Sequence, residues 1–201
     1  MAEPDDVLGD DSDLADLHVD ERDWTSARLA RSDIARCRFE GVRLAGASFE
    51  GARLADVEFV RCDLAGADLS GAHVVRSHFA DCRFTGAELT QMTLRDLSFE
   101  GCRFDDANLR MTLVERVTFD GCVLAGADLV SARLAQARFP ACDLAGADFT
   151  NAQCSEVDFR GARLEGVRGA GAFAGATITP DQLVALAPEL ARALGLRVVE
   201  E

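Results

Sequence analysis

Seven cysteines, three histidines and a spaced set of carboxylates are the side chains of this sequence best suited to chemistry. Six of the cysteines are Cys37, Cys62, Cys82, Cys102, Cys122 and Cys142, and the last five of these recur at intervals of twenty residues. Thiols in a row could bind zinc, form disulfides or pack as small hydrophobes. Zinc needs four ligands in a tetrahedron at about 2.3 Å, whereas thiols stacked at the ~4.8 Å spacing of adjacent strands lie on a line. That geometry and the lack of a CxxC pair argue against a metal site. His18, His73 and His78 come with no glycine-rich phosphate loop and no serine–histidine constellation, so none is expected beside a nucleophile. No catalytic residue and no cofactor is therefore expected. The remaining candidate is acidic: Asp68, Glu88, Asp128 and Asp148, with Asn108 between them, occupy equivalent outward positions twenty residues apart. Stacked on one face they would form a stripe suited to a basic groove on a partner.

The elements that must position these residues follow from a shorter interval. Every fifth residue from Leu14 to Leu164 is apolar without a break in phase, and eleven of the twelve phenylalanines lie in that phase. A period of five fits neither the 3.6 of a helix nor the 2 of a strand, and indicates a repeat architecture. The position two before each centre is mostly small or apolar, as at Ala47, Ala67 and Cys82, so each pentapeptide turns two side chains inward and three outward. Every fourth centre from Phe39 is phenylalanine: Phe39, Phe59, Phe79, Phe99, Phe119, Phe139 and Phe159 form one core column.

Identity at twenty residues is what stacked coils produce, because like side chains then present the same volume to the core at each level. One coil is four pentapeptides, and the chain reads as an all-β solenoid, a quadrilateral β-helix of about seven coils and roughly 34 Å. Twelve of the 17 glycines fall two residues after a centre, where some corners need a positive φ. Arg36, Asp56, Arg76, Asp96 and Arg116 hold the same position in other units, and their alternating charges predict an exposed ion-pair ladder.

Charge narrows the partners. The net charge is −14, but ten of the acidic residues lie in residues 1–23, and the repeat region 24–168 is nearly balanced, with 21 acidic residues against 18 arginines. Without a basic excess, direct nucleic-acid binding is not expected. No apolar run approaches the ~18 residues of a membrane span, and the N-terminus lacks the features of a signal peptide, so a cytoplasmic location with reduced, structural thiols is expected.

The units AGADL at 65–69 and 125–129, AGADF at 145–149, EGARL at 50–54 and TGAEL at 85–89 resemble the A(D/N)LXX consensus of the pentapeptide-repeat family. The resemblance covers residues 24–168 and implies a right-handed quadrilateral β-helix. It extends to the loopless quinolone-resistance members, which act as dimeric DNA mimics on DNA gyrase and topoisomerase IV. The chain departs from them in its weakly acidic rod. Duplex DNA carries about one charge per 1.7 Å, so full mimicry over ~34 Å would need about 20, which leaves local mimicry by the stripe. The alternative implied role is a structural scaffold binding another protein.

Three segments follow: an acidic leader, 1–23, with residues 1–13 expected to be disordered though the leader could join the first coil; the repeat region, 24–168; and a C-terminal segment, 169–201. Thr179-Pro180-Asp181-Gln182 reads as a helix start with a capping box. Leu183, Leu186, Leu190 and Leu194 are expected to cap the last coil, either as a cap alone or as a cap that also forms a homodimer interface. Pro188 should kink or split this helix, Gly195 should end it, and Leu196–Val199 reads as a short strand.

Overall fold

A computed structural model describes residues 8–199. Residues 1–7, part of the segment expected to be disordered, lie outside them. The chain winds as a parallel β-solenoid of about seven turns closed by one C-terminal helix. Each residue pairs with the one twenty positions later: Asp33 with Arg53, Phe39 with Phe59, Val114 with Leu134. Two adjacent faces carry the strands, as at Arg53–Ala55 and Glu58–Val60. The other two faces make single bridges at each level, such as Asp63 to Arg83 and Asp68 to Glu88.

Corners explain why a period of five can close a square. The residue two after each centre, from Asp11 to Gly166, has a positive φ whether or not it is glycine. One corner column has no glycine at all: Asp16, Arg36, Asp56, Arg76, Asp96, Arg116, Gln136 and Glu156 have φ between 46° and 56°. A left-handed L-residue costs roughly 1–2 kcal/mol, and the side chains here supply bonds that glycine lacks. Arg36 grips Asp16 at 2.6 and 2.7 Å, and Arg76 grips Asp56 at 2.8 and 2.7 Å. Arg116 holds Asp96 in the same two-pronged way. The ladder expected from sequence thus exists, resolved into discrete bidentate pairs.

The core is one continuous stack. Rings of the column from Phe39 to Phe159 lie with centroids 4.5–5.2 Å apart. Phe173, the phenylalanine outside the repeat phase, packs 4.5 Å from Phe159 and 5.0 Å from Phe149, and so plugs the open end. It follows Gly169, where the phase fails for a steric reason: a Cβ there would lie 2.4 Å from the Thr150 nitrogen, and φ is +73°.

The solenoid begins before residue 24. Strands at Asp13–Ala15 and His18–Asp20 pair with the next coil. Asp11 holds Arg31 at 2.9 and 2.8 Å, and Asp23 holds Arg43 at 2.8 Å. Much of the leader's acidity is therefore spent on arginines one coil onward rather than on a free tail.

The C-terminal helix, Pro180–Ala193, starts with the capping box of Thr179 and Gln182. It runs unbroken through Pro188, so the split expected as one effect of that proline does not occur. Proline removes the bond to the carbonyl of Val184, a residue 75 % exposed, so the freed group lies on the solvent side of the helix. Gly195, at φ +69°, ends the helix in a Schellman motif: Leu196 N donates to Ala191 O at 2.8 Å and Gly195 N to Arg192 O at 3.0 Å. Residues 196–199 take no strand pairing among the described residues.

Candidate interaction surfaces

The thiols have a structural occupation. All seven cysteines are free, six of them buried. The sulfur of Cys62 donates to the carbonyl of Phe39, and those of Cys82, Cys102, Cys122 and Cys142 donate in turn to Phe59, Phe79, Phe99 and Phe119, at 3.1–3.5 Å. Each thiol serves a carbonyl 23 residues earlier. Hydrogen bonding to neighbouring thiols and burial push Cys82 and Cys122 far above the usual thiol range, and burial pushes Cys154 up to about 11. Cys82, Cys122 and Cys154 are thus protonated packing groups and poor nucleophiles.

The same pattern explains Gln182, whose second role is not visible in the capping box. Its side chain is buried, and Nε2 donates to Phe159 O at 2.6 Å and Ala162 O at 2.7 Å. Gln182 again lies 23 residues after its acceptor. It does for the last coil what the thiols do inside, and the twenty-residue register run past Gly169 would have found it.

Register also corrects the histidine reading. His78 Nδ1 lies 2.8 Å from Ser98 Oγ, because residues twenty apart stack. Glu100 approaches that same nitrogen at 3.9 Å. A proton relay needs the hydroxyl on one ring nitrogen and the carboxylate on the other, so this trio does not form one. His18, Asp20 and Glu40 bring ligand atoms within 4.8 Å of one another on an exposed face. Arg38 and Arg61 already hold Glu40, and their pairing keeps its carboxyl below the usual range.

The acidic stripe is assembled as a column: bridges run from Asp68 through Glu88, Asn108 and Asp128 to Asp148. Its carboxylates have local duties. Asp68, Asp128 and Asp148 each accept the backbone N–H two residues on, at 2.9 Å, which fixes the turn and explains the preference for Asp or Asn there. Asp128 also meets Arg110 at 3.2 Å, and Asp148 meets Arg168 at 3.0 Å. Asp68 and Glu88 have no arginine among the described residues, although Asn108 donates to Glu88 at 2.7 Å.

At the C-terminal end the four candidate leucines divide. Leu186 is buried on the last coil and Leu190 packs beside it, whereas Leu183 and Leu194 are 51 % and 74 % exposed. The helix meets the rod along Gln182, Leu186 and Leu190, at intervals of four. That geometry turns Leu183 away, while Leu194, next in the same row, lies past the helix end at Ala193 and is exposed together with Leu196, Val198 and Val199.

Flat faces stacked in parallel around a filled core define a four-sided β-solenoid, a class whose working parts are its outer surfaces. The sequence matches the family model for the pentapeptide repeat region over residues 32–109 and 93–168, and the chain belongs to the pentapeptide repeat family. Among solved structures it is similar to HetL, a pentapeptide repeat protein involved in heterocyst differentiation regulation in the cyanobacterium Nostoc. The two share 21 % identity over 82 % of this chain and 86 % of that one, with TM-score 0.47. A pentapeptide repeat protein of the Arabidopsis thaliana thylakoid lumen shares 22 % identity over 53 % of this chain and 72 % of its own, with TM-score 0.43. A trypsin-treated form of QnrB1, a plasmid-mediated fluoroquinolone resistance protein, shares 20 % identity over 93 % and 97 %, with TM-score 0.38. No curated protein matches the sequence. Among the described residues no helix is long and apolar enough to cross a membrane.

Proposed function

We propose that this protein is a non-catalytic interaction module whose partner is DNA gyrase or topoisomerase IV, engaged by local mimicry of DNA in the cytoplasm. The observation that carries the reading is the column of Asp68, Glu88, Asp128 and Asp148 on one flat face. Adjacent coils are ~4.8 Å apart, so the stripe spaces its charges more like the phosphates of one DNA strand, about 3.4 Å per charge, than like the duplex at 1.7 Å. The unbroken coils support it, since no loop obstructs a groove from lying along the rod. The exposed Leu183, Val184 and Leu194, with the apolar tail beyond them, support a homodimer through the C-terminal end.

The test is a gyrase supercoiling assay with and without ciprofloxacin. Wild type should inhibit gyrase or protect it from the drug at micromolar concentration, and the reversal of Asp68, Glu88, Asp128 and Asp148 to arginine should abolish the effect. One observation favours the second reading, a scaffold for another protein: Arg110 and Arg168 already neutralise the distal half of the stripe.

A further inference from the structure

Three irregularities coincide on one stretch of the rod. The first is apolar: among the described residues, the large hydrophobics exposed outside the C-terminal end are Met111 and Leu113, at 48 % and 42 %. The second is ionic. Most arginines of the rod sit against a carboxylate, yet Arg133 has none within ion-pair distance among the described residues, and Arg138 stacks on Asp158, a carboxylate already gripped by Arg160. The third is a fault in the corner ladder. The alternation Asp16, Arg36, Asp56, Arg76, Asp96, Arg116 calls for an acid next, and Gln136 stands there instead, donating to Glu156 at 2.9 Å. The carboxylate missing at 136 would have lain at the corner between the faces of Arg133 and Arg138.

These features are neighbours by register. Leu113 pairs with Arg133 and Thr118 bridges to Arg138. At this level the face through Phe139 changes from strand to tight turns, with the strand Leu113–Asp120 giving way to a single bridge at Arg138. The change opens a polar groove of about 390 Å³ lined by Arg116, Thr118, Gln136, Arg138 and Glu156. Exposed aliphatic surface beside arginines with little carboxylate to themselves is the chemistry of a protein interface, where arginine and methionine are enriched.

We infer that this surface is a second docking site, which takes a protein segment presenting an aliphatic side chain to Met111 and Leu113 and a carboxylate to Arg133 and Arg138. The inference rests on the interaction-module reading but not on gyrase, because it requires an acidic partner where the stripe requires a basic one. Arginine matters here for its fork, which pairs two oxygens of a carboxylate at once.

The experiment pans a random peptide library displayed on phage against the full-length protein. Binders are then measured by fluorescence polarisation against wild type, Arg133→Glu/Arg138→Glu and Leu113→Ser. These positions are exposed, and unchanged circular dichroism and melting would show that the fold is retained. Enriched peptides should combine Asp or Glu with Leu, Ile or Phe, and should lose at least tenfold in affinity on each variant while keeping it on the stripe reversal. Binders that ignore both variants would overturn the second site and leave the interaction reading standing. A library that enriches nothing would count against both.

Discussion

Ring stacking in the phenylalanine column can be separated from simple burial by comparing two leucine substitutions. Phe99 is buried among four rings: Phe79 and Phe119 stacked at 4.9 Å, and Phe84 and Phe104 edge-on at 6.0 and 5.1 Å. Phe49 is equally buried, but its column neighbours are Leu29 and Leu69, and no ring packs on it among the described residues. Phe→Leu removes the same volume at both sites, and at position 49 it restores the residue type found above and below it. Phe99→Leu loses the same kind of area plus four ring contacts worth about 0.5 kcal/mol or more each, so it should cost about 2 kcal/mol beyond Phe49→Leu. Urea unfolding followed by far-ultraviolet circular dichroism reads this as a lower midpoint. Neighbouring coils stabilise one another, so a weakened central coil should also broaden or split the Phe99→Leu transition. Equal midpoints for the two variants would refute stacking as a contributor distinct from burial.

Three further outcomes follow from the geometry. Gln182→Ala strips the donor from the Phe159 and Ala162 carbonyls, and at about 1–3 kcal/mol per unsatisfied group it should release the helix. Limited proteolysis after residue 169 reads that release, and unchanged resistance would contradict it. Hydrogen bonds from arginine hold Asp11, Asp16, Asp56 and Asp96 below the ordinary carboxylate value of 3.8. Their stabilisation is complete above that value and is lost as pH falls through the folded-state pKa, so the melting temperature should be flat from pH 7 to about 5 and drop below about 4. A drop already complete at pH 5 would contradict the sign. Light scattering should give a dimer that Leu194→Glu/Val198→Glu converts to a monomer, and a wild-type monomer of 21.5 kDa at high concentration would remove the interface.

Much of this fold is written in the chain because a solenoid repeats its environment. A residue and its counterpart twenty positions on meet the same neighbours, so the phenylalanine column, the cysteine column and the Asp–Arg ladder stand out as identities. The leader escaped because its acids resemble a solvated tail when read locally. Their partners Arg31, Arg36 and Arg43 sit one coil away, as the register dictates. Leu183 and Leu194 look like core residues by composition, but which side of a capping helix meets the rod depends on its docking angle, which no period specifies, and Leu194 falls just past the helix end. Met111, Arg133 and Arg138 were hidden for a different reason. A side chain left short of a partner shows only once every neighbouring column has been placed.

The central claim is that the flat acidic face engages a type II topoisomerase. Gyrase supercoiling in the presence of the purified protein tests it most directly. The account predicts inhibition or protection from ciprofloxacin at micromolar concentration, lost when Asp68, Glu88, Asp128 and Asp148 are reversed to arginine. Supercoiling and drug sensitivity that are the same with and without the protein would contradict it.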